Sequence, residues 1–426
     1  MSFSQRLQDI RDGFDSGFWV ANISEIFERL AYYAAFSSLA IYLHETLNFP
    51  ASQTGTLTGI FGGMVWFMAI FGGALADRLG FRRALSLAYL ILSAAYFLIG
   101  SLGASWMAPL RGAVPLTGLV AFVLLLPALG VSMVKPCVVG MTARGSRENV
   151  RTLGYSIYYT MVNIGGAAGP FVASWAHRHL GIERVFRVSA LSVFAMFIAV
   201  LIFFRDPGRA AEVSPSIKQT LRNFLTVAGN PKFMIFLLIF TGYWVVFWQE
   251  FIMLPVYIHA HISSTADVEL MLMTDASVVI CLTLAVNHVL RKLGAFRAVI
   301  LGTLVSSLAW LVLAAHPTVW TAVLAIGIVA VGEIIQQPRY YEYISNLAPA
   351  GQQGTYMGFA FMPIGIGSLI GGWLGGRLAH HYGEVVNQPE RMWWVICGVG
   401  LLTTALLVVY DRIVKPGQED APAASA

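Results

Sequence analysis

Glu25, Glu28, Arg29 and Tyr32 recur at helical spacing in the segment SEIFERLAYYAAF, so two carboxylates, a guanidinium and a phenol face one side of a helix. Tyr33 follows directly. Their surroundings are apolar, and an ionised side chain at mid-bilayer depth costs about 2.5–3.5 kcal/mol on insertion scales. Three such residues within five are tolerable where they face a polar cavity and can trade protons or partners. The alternative is a Glu25–Arg29 pair that only neutralises itself, but apolar residues would fill that space at lower cost. The inventory of charges within apolar runs gives Glu25, Glu28, Glu250, Glu333 and Glu342 against Arg29, Lys135 and Arg339, five acids to three bases. An acid excess in apolar surroundings points to proton carriage. Arg339 and Glu342, near the end of their run, also read as an i,i+3 interfacial pair.

These residues must be positioned by membrane-spanning helices. Of 426 residues, 57% are hydrophobic and 12% charged, with mean hydropathy +0.69; soluble domains carry roughly a quarter charged residues. Large extramembrane domains are thereby excluded. Apolar runs punctuated by charge, Gly and Pro predict twelve spans, at 17–43, 54–76, 84–103, 115–141, 153–176, 184–204, 233–258, 270–290, 297–315, 318–346, 354–379 and 391–411. The first has no small-residue cleavage site behind a short apolar core, so it reads as a retained span. Arg78, Arg82 and Arg83, then Arg144, Arg147 and Arg151, then Arg291, Lys292 and Arg297 mark the loops after spans two, four and eight. The positive-inside rule places these loops and both termini in the cytoplasm of a cell (inner) membrane protein. Cys137, Cys281 and Cys397 are too dispersed for a disulfide framework or a metal site.

The only long polar stretch, 205–231, divides the spans six and six. The halves echo one another: DRLGFRRA from Asp77 has a counterpart in RKLGAFRA from Arg291, Lys135-Pro136 in Gln337-Pro338, and AHRHLG from Ala176 in LAHHYG from Leu378. The predicted fold is therefore all-α integral membrane, twelve transmembrane helices in two pseudo-symmetric six-helix bundles, 1–204 and 232–412, with a cytoplasmic linker 205–231 and a polar tail 413–426. His177, His179, His380 and His381 occupy matching helix ends and read as interfacial residues, not metal ligands. Trp244 and Trp248 are candidates for a cavity wall, and Tyr257 for the wall or an outer aromatic belt. No Walker motif or nucleophile arrangement is present, so neither ATP-driven transport nor enzymatic catalysis is expected. The net charge of +5 is accounted for by loops and does not argue for nucleic acid.

Gly73, Asp77, Arg78, Gly80, Arg82 and Arg83 match the conformational gating loop of the major facilitator superfamily. Within that superfamily the chain resembles the proton-dependent oligopeptide transporter family. The likeness rests on Glu25-x-x-Glu28-Arg29 with Tyr32-Tyr33, on Lys135-Pro136-Cys137-Val138, on Tyr158-Tyr159 through Asn163 to Gly165, and on Gly332-Glu333 with Pro338, Glu342 and Leu347-Ala348-Pro349. The resemblance implies a proton-sensitive salt-bridge set of Glu25, Glu28, Arg29 and Lys135. It implies substrate contacts from Tyr32, Tyr33, Lys135, Asn163 and Glu333, the lysine meeting the substrate's carboxylate and Glu333 its amino group. Glu250 of Trp248-Gln249-Glu250 stands where the family has a gating acid.

The chain also departs from the family pattern. Phe36 stands where the family has the arginine that pairs with the span-seven acid, so Glu250 lacks that gate partner and reads either as a proton site or as paired with another group. Trp66 replaces a second-span tyrosine, and Phe359-Ala360-Phe361 an eleventh-span tryptophan. Trp66 and Trp248 join the expected substrate contacts, in a pocket poorer in polar groups. The expectation is a monomeric, cofactor-free transporter driven by the proton gradient and working by alternating access. Its expected partners are the lipid bilayer, protons and a small-molecule or short-peptide substrate, and its expected activity is symport of short peptides or peptide-like zwitterions. The alternative is a proton-coupled antiporter that exports an amphipathic compound.

Overall fold

The computed structural model describes residues 13–205, 225–348 and 353–414; the central part of the linker and most of the tail lie outside the described residues. Twelve long helices, α1 to α12, follow in chain order: Ser16–Ile41, Ala51–Leu79, Phe81–Ile99, Leu116–Arg144, Arg151–Leu180, Ile182–Phe203, Pro231–Phe247, Val268–Val289, Ala295–Ala315, Val319–Leu347, Met362–Leu378 and Arg391–Val414. Each predicted span falls on one of them. Nine helical segments meet length and hydropathy criteria for crossing a membrane among the described residues. The segment of α1 falls short because Glu25, Glu28 and Arg29 interrupt it. Large apolar side chains point outward, Leu284 at 85% exposure and Trp320 at 81%. Such a surface suits lipid and not water.

Three helices depart from the continuous spans read from sequence. α1 ends in a π-helical turn, Tyr42–Thr46. The seventh span breaks after Phe247 and continues as Gln249–Ile252 and Leu254–His261. Pro255 has no N–H to continue the ladder, and Gln249 donates its side-chain amide to the Val245 carbonyl, the usual i−4 partner of the backbone. The eleventh span begins as a short helix, Gln353–Phe359, and restarts at Met362 with Pro363 in its first turn.

The described residues cluster into two compact units. The first holds 13–42 and 64–205, and the second 43–63 and 225–414. Residues 51–63, the opening of α2, belong to the second because Gly55 and Gly59 lie against Gly372 and Ser368 of α11, where any added Cβ would collide with backbone. In the first unit α1 packs on α5 and α6, and α3 on α4 and α6; in the second α7 packs on α11 and α12, and α9 on α10 and α12. The pairings repeat at an offset of six helices. That is the internal symmetry anticipated from DRLGFRRA and RKLGAFRA.

Candidate functional site

The first unit gathers the α1 charges at its centre. Glu25 and Glu28 are fully buried and Arg29 is 5% exposed. The guanidinium grips Glu28 through two hydrogen bonds, Nε to Oε2 at 2.5 Å and Nη2 to Oε1 at 2.8 Å. Such a two-pronged, charge-assisted pair is strong and fixes orientation. Glu25 lies only within ion-pair reach of Arg29 Nε, at 3.5 Å, and neither of its oxygens accepts a hydrogen bond from any described residue. Tyr32 extends the set, its ring centroid 5.2 Å from the guanidinium carbon, with Tyr33 edge-on to it at 5.3 Å. The glycine face of α5 makes the fit possible. A Cβ on Gly169 would stand 2.7 Å from the Tyr33 Cβ and 2.9 Å from the Leu30 carbonyl, and one on Gly165 would strike the Ile26 carbonyl.

Lys135 comes from α4, immediately before Pro136. Because Pro136 lacks an N–H, the Ser132 carbonyl loses its helical donor. Gly72 of α2 closes on that carbonyl, where no side chain would fit. α2 also supplies Trp66, and the Lys135 ammonium sits over its indole at 4.6 Å from the ring centroid. A cation over an aromatic face gains about 0.5–2 kcal/mol, most over Trp. Among the described residues no carboxylate lies within salt-bridge distance of Lys135, though Glu25, Glu28 and Arg29 all act on its charge.

The second unit has a cluster of the opposite character. Glu250, on the short helix Gln249–Ile252, is fully buried, and its two oxygens accept no hydrogen bond from described residues. The charges acting on it are Asp275 of α8 and Glu333 of α10, both acids. Among the described residues no positive charge is recorded as acting on Glu250. Tyr243, Trp244, Phe247 and Trp248 form an aromatic run beside it on the seventh span, with neighbouring rings 5.1–5.5 Å apart. The Trp248 indole donates to the Ile364 carbonyl at 3.0 Å. Asp275 is missing from the sequence inventory above. The signal was a lone acid in the apolar run VELMLMTDASVV, but its meaning depends on α8 lying beside α10.

Arg339 pairs with Glu342 at 2.7 Å, the interfacial arrangement, so these two leave the buried set. Asn163 is half-buried and donates to the Tyr159 carbonyl of its own helix at 2.7 Å. Phe36 is fully buried with its ring 5.8 Å from Tyr32, an apolar filling in place of an arginine. Of the two readings for Tyr257, cavity wall or outer belt, its 2% exposure rules out the belt, and its ring lies edge-on to Trp393 at 5.1 Å. Between α2 and α3 Gly80 adopts φ 79°, which glycine alone takes readily, and Arg82 donates to the Leu201 carbonyl at 2.6 Å. Arg78 and Arg83 are exposed, and the side-chain surroundings of Gly73 and Asp77 lie outside the described residues.

Comparison with known proteins agrees with this architecture. The family model described as Major Facilitator Superfamily matches residues 22–362 and, overlapping, 261–426. Multidrug resistance protein MdtH of Klebsiella pneumoniae subsp. pneumoniae is 24% identical over 380 residues, covering 88% of this chain and 89% of that protein. A POT family transporter solved with a thioalcohol-conjugated peptide superposes with a TM-score of 0.77 at 15% identity, over 93% of this chain and 96% of that one. The nucleoside transporter NupG gives 0.73 at 14% identity, over 92% and 99%. At those identities the likeness to solved structures is one of fold. The family match spans nearly all of a chain built from twelve lipid-compatible helices in two repeats, and the chain belongs to the major facilitator superfamily of multi-pass membrane transporters.

Proposed function

We propose that this protein is a proton-coupled secondary transporter, working by alternating access, that takes up short peptides or peptide-like zwitterions across the inner membrane with both termini in the cytoplasm. Glu25 carries the reading: it is a fully buried carboxyl that accepts no hydrogen bond from described residues, beside an arginine already committed to Glu28, and the lysine that acts on it has no carboxylate at salt-bridge distance among those residues. A proton on Glu25 leaves Lys135 available to a substrate carboxylate. Loss of that proton makes Glu25 the competing anion. The acid-only group of Glu250, Asp275 and Glu333 favours a substrate that also carries an amine. Tyr32, Tyr33, Asn163, Trp66 and Trp248 are proposed contacts, the arginine-bearing loop from Gly73 to Arg83 the gating element, and 1–204 and 232–412 the two moving bundles.

Proteoliposomes test this directly. An inward proton gradient is expected to drive accumulation of labelled di- or tripeptide. Glu25→Gln should lower that accumulation at least tenfold while sparing counterflow exchange, which needs no net proton movement. Lys135→Ala should lose both with normal membrane insertion. Gradient-independent uptake, or unimpaired transport in both variants, would overturn the reading.

The length of the likeness to MdtH supports a second reading, proton-driven export of an amphipathic cation, which the acids of the second unit would favour. Expulsion of a cationic dye from right-side-out vesicles under the same gradient, without peptide uptake, would select it.

A further inference from the structure

Among the described residues Lys135 has no carboxylate at salt-bridge distance and Glu25 accepts no hydrogen bond, so each could supply what the other is missing. Arg29 spends its fork on Glu28, leaving Glu25 without a hydrogen bond, while the Lys135 ammonium rests on the Trp66 indole. Arg29 and Glu28 on α1, Lys135 on α4, the Tyr89 phenol of α3 and the Tyr158 phenol of α5 are the titratable groups in electrostatic reach of Glu25. Of these, Lys135 is the cation with no carboxylate at salt-bridge distance among the described residues, and a long, flexible stem lets its ammonium change partners. The indole is therefore a second station for the lysine, on a different helix from the acids.

We propose that Trp66 is a positioning residue that holds the Lys135 ammonium away from Glu25, and so sets how acidic the medium must be for the transporter to load its proton. This rests on proton coupling through Glu25. A proton and the ammonium compete for the Glu25 carboxylate. With the indole in place, part of the ammonium's attraction is met elsewhere and the proton meets a weaker competitor. Weakening the ring strengthens that competitor, and a higher proton concentration is needed for the same occupancy.

The test is the pH profile of gradient-driven uptake for wild type, Trp66→Phe and Trp66→Leu. Phe keeps a ring with a weaker face and is expected to move the half-maximal pH acidward by a few tenths of a unit. Leu should move it further, by up to about one unit, a tenfold change in proton concentration or about 1.4 kcal/mol. Trp66→Tyr, the conservative variant, should fall between wild type and Phe. A profile of Trp66→Leu that superimposes on wild type, with correct insertion, overturns the proposal. So does an unshifted profile with a Michaelis constant raised tenfold, which would leave the indole a substrate contact only. Absence of any pH dependence in wild type would instead sink proton coupling itself, so the two failures are distinguishable.

Discussion

Arg29 grips Glu28 and lies within ion-pair reach of Glu25 on the same helix, and this grouping was readable from chain spacing because Glu25 and Arg29 are one helical turn apart and Glu28 is adjacent. Removing one partner of a buried ion pair leaves an uncompensated charge, at about 3–5 kcal/mol. Arg29→Ala is therefore expected to lower the apparent Tm in detergent sharply, or to prevent accumulation in the membrane. Arg29→Lys keeps the charge but not the fork that holds both Glu28 oxygens, and should fall between the two. Equal stability of all three proteins would show that the pair is dispensable. The Lys135–Trp66 contact was not readable in the same way. The two residues lie on different helices, and a sequence holding 11 tryptophans offers no sign of which one lies under an ammonium.

The helices themselves were legible where composition alone defines them and less so where a side chain intervenes. Apolar length gave all twelve spans to within a few residues. Pro255 and Pro363 mark two of the breaks in plain sight. The break after Phe247 depends on Gln249 reaching both the Val245 and Gly371 carbonyls, at 2.9 and 3.0 Å, the second of them 122 residues away. The α1–α5 contact was half legible: GGAAGP reads as a close-packing face, but not which helix it meets. Gly169 allows the Leu30 and Tyr33 turn of α1 to approach, and a side chain there must push it away. Gly169→Val is expected to cost about 1–3 kcal/mol through overpacking, lowering the Tm and displacing Tyr33. Gly112, which has open space where its Cβ would stand, provides the control, since Gly112→Ala should leave transport unchanged.

For the protein as a whole the decisive measurement is which ligand class stabilises it. A ligand at 100 times its dissociation constant adds about 2.7 kcal/mol to the folded state. On the zwitterion reading, di- and tripeptides should raise the Tm of the purified transporter, and the rise should vanish in Lys135→Ala. Amphipathic cations that raise it equally in both proteins would favour the export reading, since they need the acids of the second unit and not the lysine. The chain's composition and periodicity were enough to establish a twelve-helix membrane protein with an internal repeat and charges buried at cost, because lipid imposes length and hydropathy on every span regardless of its neighbours. Which acids accept no hydrogen bond from described residues, which ring holds the lysine and that Asp275 joins Glu250 and Glu333 were fixed by packing. These depend on distances between side chains on different helices, and no local pattern in the sequence encodes them.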